Sequence, residues 1–145
     1  MSQENVEIVR ALIALWNTRD RGALAGSLAD YCDPAIELEG PLSSVSGEPY
    51  CGLKGLEQWA RDVDEQFERW EIVPDEVRAV GDRVLAVATV NAVGRASAAA
   101  LQFPAAAVCT CASDHRLTRI HIHLQVRDAF EAVGLTVDDR PRSGA

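Results

Sequence analysis

The sequence predicts a single α+β domain, with helices first and then a run of antiparallel strands. Three observations carry this prediction. Apolar residues recur at three- and four-residue steps through 3–18 and again through 50–70, which is helical periodicity. From Glu71 onward the pattern changes to β-rich runs separated by short turns. The second periodic stretch carries Trp59, Phe67 and Trp70 on one stripe, and such a helix needs an apolar surface to lie on. Strands long enough to bend, covered on one face by that helix, would make a cone with an apolar interior.

The first helix is read over residues 3 to 18. Val6, Val9, Ile13 and Trp16 form its stripe, and Ile8, Leu12 and Leu15 widen it. Ser2 is placed to cap it, with Asn5 three residues on. Asn17-Thr18-Arg19-Asp20 breaks the pattern, and Asp20 suits the N-cap of a short helix to about Ala29. Tyr31-Cys32-Asp33-Pro34 reads as a turn, since proline disfavours helix at the residue before it. Ala35 to Glu39 alternates, with Ile36 and Leu38 on one side and Glu37 and Glu39 on the other. Residues 40 to 49 are loop by composition, and Tyr50 ends a very short strand.

The long helix is expected from there to Trp70. Leu56, Trp59, Ala60, Val63, Phe67 and Trp70 make its apolar stripe, and Glu57, Arg61, Asp62, Asp64, Glu65, Glu68 and Arg69 its charged face. Glu71 to Val80 is a strand containing or following Pro74, and Gly81-Asp82 a turn. Arg83 to Val93 and Ala99 to Ala112 are apolar strands separated by a reversal at 94–98. A turn at Ser113-Asp114-His115-Arg116 leads to an alternating strand, Leu117 to Gln125. Arg127 to Val133 is read as one or two helical turns stopped by Gly134. Residues 1–135 are taken as one domain and 136–145 as a frayed, flexible tail.

Composition narrows the function. The chain has 145 residues, is 48% hydrophobic and 25% charged, and carries a net charge of −8. Lys54 is its single lysine and no basic cluster occurs, which argues against nucleic acid and anionic membranes as partners. No apolar run approaches the roughly 20 residues of a membrane span, and MSQENVEIVR lacks a signal-peptide pattern. A cytoplasmic location is expected. Cys32, Cys51, Cys109 and Cys111 form no CxxC pair and are read as reduced thiols, so no metal and no cofactor are expected.

Several short motifs resemble the SnoaL-like branch of the nuclear transport factor 2-like (NTF2-like) superfamily. They are Trp16-Asn17 followed by Asp20, Asp33-Pro34, Tyr50-x-Gly52 with Gly55-Leu56, and Gly81-Asp82-Arg83-Val84. Arg119-Ile120 and Glu131-Ala132-x-Gly134-Leu135 complete the set, which spans roughly 3 to 135. The resemblance implies a curved, mixed, mostly antiparallel sheet wrapped around the N-terminal helices and one long helix, with a cavity between them. It also implies a homodimer through the convex face of the sheet. It does not specify a reaction, because the fold hosts isomerases, cyclases, dehydratases, epoxide hydrolases and binders alike. Related hydrolases carry an Arg-x-Asp pair and a further acid where this chain has Ala88, Val90 and Ile122, so that chemistry is not expected.

Within this frame Trp59, Val63 and Phe67 are expected to face the cavity, with Trp16, Tyr31 and Tyr50 near its mouth or walls. Leu38, Val90 and Ile122 complete the expected binding set. His121 and His123 share a strand face with Arg119 and Gln125, which reads as a wet or interfacial surface; a one-residue slip would turn both imidazoles inward. They and Tyr31 are the candidate catalytic groups. His115 is read as an exposed turn residue held at positive φ at some cost, Asn91 as hydrogen-bonded, and Glu37 and Glu39 as solvated. Asp62 is read as a surface acid near the cavity rim.

Three functions follow as expectations. The first is binding of a small apolar or aromatic metabolite, with catalysis weak or absent. The second is a cofactor-independent cyclase, isomerase or dehydratase using His121 or His123. The third is a dimeric interaction module whose cavity is filled by its own side chains.

Overall fold

The computed structural model describes residues 2–40 and 48–136. Helices α1 (Ser2–Asn17) and α2 (Arg21–Tyr31) precede strands β1 (Cys32–Glu39) and β2 (Tyr50–Cys51). Helix α3 (Gly52–Gln66) leads into β3 (Phe67–Val80), β4 (Arg83–Gly94), β5 (Ala100–Cys111), β6 (Leu117–His123) and a last helix, α4 (Val126–Ala132). Most of the expected 40–49 loop, most of the tail expected at 136–145 and the Ser2 cap lie outside what is described.

The strands form one open, mixed sheet in the order β2-β1-β6-β5-β4-β3. Only β1 with β6 pairs parallel among the described strands; the other pairs are antiparallel. Helices α1, α2 and α3 pack on one face of the sheet, and their shared core runs from Val9 and Trp16 through Leu56 and Val63 to Cys109 and Ile120. Helix α4 packs on the opposite face, where Phe130 and Ala129 are fully buried against Leu85, Val87 and Val108. The result is the α+β cone.

Local chemistry sets the element ends. Asp20 caps α2, its carboxylate accepting from the Ala23 N–H at 2.9 Å. Gly134, at φ 79°, ends α4: its N–H donates to Glu131 O at 3.0 Å and the Leu135 N–H to Phe130 O at 2.9 Å. Gly55 lets α3 start tight against β2, since a Cβ there would meet the Tyr50 carbonyl carbon at 3.0 Å.

Two expectations are corrected. The long helix stops at Gln66, not at Trp70, and Phe67 is already extended at φ −127°, ψ 130°. The helical spacing persisted because β3 bulges between Phe67 and Arg69. That extra residue puts Phe67, Trp70 and Ile72 on one face, so a bulged strand imitates a helical stripe. The turn expected at 31–34 is also absent as a separate element: α2 runs to Tyr31 and β1 begins at Cys32. Pro34 is tolerated because the β1–β6 register shifts there, with the Ala35 N–H bonded to Asp33 Oδ1 at 2.8 Å.

Candidate functional site

Between the inner sheet face and helices α1–α3 lies a cavity of about 680 Å³. Val9, Leu12, Ile13 and Trp16 enter it from α1, and Leu56, Trp59 and Val63 from α3. The lining residues of β4 alternate because side chains on a strand alternate faces, whereas β5 contributes 103–107 without a break. Ala86, Ala88 and Val90 come from β4, opposite Ala107, Ala105 and Phe103 of β5. Ile120 and Ile122 of β6 lie opposite Cys109 and Ala107. The small alanines on two adjacent strands leave the space open.

Aromatic rings line one side. Trp16 and Trp59 lie 4.9 Å apart, Phe67 and Trp70 4.7 Å, and Trp70 and Phe103 5.6 Å between centroids. Among the described lining residues none is charged and none is histidine. Gln66 and Gln125 are the lining amides, and both are exposed. Cys109 also lines the cavity; burial, with nearby Cys111 and Cys32, pushes its thiol up to about 12. It stays protonated at neutral pH and is a poor nucleophile.

Helix α1 is clamped to the rim by its last residues. Trp16 Nε1–H donates to Trp70 O at 2.8 Å, and the Arg19 guanidinium to Glu68 O at 2.6 Å. The Asn17 amide bonds both backbone groups of Ile72, donating to its O at 2.7 Å and accepting from its N–H at 3.0 Å. Strand β3 is a sheet edge. Asn17 therefore does for it what a further strand would do.

Of the residues expected to form the site, Trp16, Leu38, Trp59, Val63, Phe67, Val90 and Ile122 line the cavity. Tyr31 and Tyr50 do not. Tyr31 packs half-buried against the main core. Tyr50 donates to Asp62 Oδ2 at 2.6 Å, while Gln58 donates to Asp62 Oδ1 at 2.7 Å. Burial first, and Asp62 second, push the Tyr50 phenol up to about 12.

His121 and His123 lie on the outer face of β6, paired with Val108 and Ala106, while Ile120 and Ile122 face in. Their rings stack at 4.0 Å between centroids. Glu39 accepts from Arg119 at 3.1 Å and lies 3.7 Å from His121 Nε2, so it is part of an outer-face cluster, whereas Glu37 is exposed. No three metal-binding side chains converge among the described residues. His115 does adopt positive φ, 71°, but it is half-buried, not exposed: its Nδ1 lies 2.8 Å from the Oδ1 of buried Asn5. Asn91 is hydrogen-bonded on the outer face, to Glu71 at 3.4 Å and Gln102 at 2.8 Å.

Sequence reasoning missed Trp70, Phe103, Gln66 and Gln125 as site residues. Strand alternation from Phe103 through Ala105 and Ala107 to Cys109 was a usable signal once the β5 register was known. Nothing in the sequence marked the two glutamines, which line the cavity from the last residue of α3 and from just after β6.

The sequence profile described as "SnoaL-like domain" matches residues 9–120. No curated protein matches the chain in sequence. Among solved structures it is similar to one from Jannaschia sp. CCS1, provisionally named a SnoaL-like polyketide cyclase. That likeness has TM-score 0.74 and 19% identity, over 97% of this chain and 96% of that one. It is also similar to an NTF2-like protein of unknown function from Burkholderia pseudomallei K96243, at TM-score 0.71 and 16% identity, over 90% and 98%. TerC, co-crystallised with polyporic acid, gives TM-score 0.70 and 19% identity, over 90% and 98%. At these identities the structural likenesses establish the fold.

Proposed function

The chain belongs to the SnoaL-like domain family, and from that premise we propose that it binds a small, mainly apolar molecule in its interior cavity. The observation that carries this is the lining: about 680 Å³ bounded by aromatic, aliphatic and alanine side chains with no charged group. That volume falls within the roughly 300–1,000 Å³ common for small-molecule sites. It also favours binding over a cavity filled by the protein's own side chains. The ligand-bound TerC relative adds support. The binding set is Trp16, Leu38, Trp59, Val63, Phe67, Val90 and Ile122, with Tyr31 and Tyr50 in supporting positions. The protein is proposed to act in the cytoplasm.

The test is thermal stabilisation and tryptophan quenching by uncharged aromatic or long-chain compounds. Ala88→Phe places a ring in the cavity from the middle of β4, where Ala88 is buried. It is expected to weaken binding at least about tenfold while the melting temperature holds or rises. His121→Ala and His123→Ala are expected to leave affinity unchanged. Wild-type affinity in Ala88→Phe would reject the cavity as the binding site.

A second reading, cofactor-independent cyclase, isomerase or dehydratase chemistry, draws support from the name of the Jannaschia relative. Its acid or base would be His121 or His123. Turnover lost in a folded His→Ala variant would favour it. We propose further that two copies associate through the outer sheet face beside α4, where Val73 is 39% exposed next to Thr89 and Asn91.

A further inference from the structure

We infer that Arg21 is a positioning residue for the cavity: gripped by Asp64, it lies on the face of the Trp16 ring and fixes that ring in the cavity wall. This rests on the binding reading above and adds a residue outside the lining that governs the same site.

Local chemistry places Arg21. Asp20 caps α2, so Arg21 is the first residue of that helix and stands just past the end of α1. Its guanidinium carbon lies 3.8 Å from the centre of the Trp16 ring. The same group makes three hydrogen bonds. It donates to the two Asp64 oxygens at 2.9 and 3.0 Å, a paired geometry, and to the Trp16 carbonyl at 3.0 Å. That carbonyl is in the last turn of α1, where C=O groups lack intrahelical partners and positive charge is favoured. A free arginine side chain would lose rotamer freedom by staying over a ring. Here the Asp64 fork already holds it.

The Trp16 ring has little else to set its plane. It lines the cavity and is buried. Its Nε1–H donates to Trp70 O at 2.8 Å, which fixes one edge of the indole and leaves the plane free to tilt. Trp59 lies 4.9 Å away at a 40° tilt, so it does not stack flat on Trp16. The guanidinium is planar, and its charge is attracted by the π electrons of the indole face. Asp64 follows Val63 on the helix that also carries Trp59, and both of those line the cavity. The fork therefore joins α1, α2 and α3 at this ring. Arg21 itself is outside the lining and acts through Trp16.

The experiment titrates the full chain with the uncharged fluorescent probe N-phenyl-1-naphthylamine. It compares wild type, Arg21→Leu, Arg21→Lys, Trp16→Leu and the Arg21→Leu/Trp16→Leu double variant, each well below its melting temperature. Arg21→Leu is expected to bind about fivefold more weakly. Arg21→Lys keeps the charge without the fork and should lose about threefold. In the Trp16→Leu background, Arg21→Leu should change affinity by less than about 1.5-fold. Near-ultraviolet circular dichroism of the Trp16–Trp59 pair depends on the angle between the rings and should weaken in Arg21→Leu. A merely structural Arg21 would lower the melting temperature and leave affinity and dichroism unmoved. Wild-type affinity or unchanged dichroism in folded Arg21→Leu overturns the inference and leaves the binding reading standing. So does an equal loss in the two backgrounds. Arg21→Lys serves for both readouts where Arg21→Leu does not fold, and those readouts decide alone where Trp16→Leu does not. A probe that never saturates on wild type overturns the binding reading, and the inference with it.

Discussion

His123 has a ring nitrogen, Nε2, that is buried and has no hydrogen-bond partner among the described residues. Its ring stacks on His121 at 4.0 Å. Burial, and then the nearby His121, hold its pKa below the usual 6.5; Arg119 lowers it slightly too, while Asp128 and Glu39 pull the other way. Above pH 6.5 the ring is neutral in folded and unfolded chains alike, so its contribution there is complete. As pH falls below that value, the unfolded chain takes up a proton that the folded chain resists. Stability should therefore fall with pH in this range. His123→Phe keeps a ring on His121 and removes the titration. Melting temperatures between about pH 5 and 7 should then fall less steeply in the variant than in wild type. Parallel curves would mean that this imidazole is not perturbed by folding.

At the scale of elements, the connection that sets the cavity rim is α1 to β3. An edge strand exposes backbone groups, and α1 covers them with three side chains from its last turn and the residues just after it. Asn17 alone satisfies both polar groups of Ile72. Asn17→Ala leaves that N–H and C=O without their partner, and should cost about 1–3 kcal/mol in urea denaturation. A loss under about 0.5 kcal/mol would show that water replaces the amide without penalty. Elements were legible in the sequence where one pattern had one cause. Asp20 and Gly134 mark helix ends by their own chemistry. The end of α3 was not legible, because a bulge at Glu68 restores a three-residue spacing between Phe67 and Trp70 inside a strand.

At the scale of the whole molecule, the sheet has two different faces. The inner face lines the cavity; part of the outer face is covered by α4, and the rest is open beside it. If two copies meet on that open part, each should bury on the order of 800 Å². Sedimentation at micromolar concentration should then give twice the mass of the 15.7 kDa chain. Val73→Glu, which places an unpaired charge on the proposed interface, should return it to monomer. A wild-type monomer at that concentration would reject the association.

The sequence by itself determined the α+β class, the element order and the inward stripe of Trp16, Trp59 and Val63. Those are properties of local periodicity, and periodicity is written residue by residue. Only the tertiary structure decided which face of β6 looks inward, since shifting a strand by one residue exchanges His121 for Ile122 without changing any local preference. It alone placed the Tyr50 hydroxyl on Asp62. It alone brought Gln66 and Gln125, distant in the chain, into the lining of one cavity. Register and chain crossing are set by how all the strands pack together, and no single stretch of sequence contains that information.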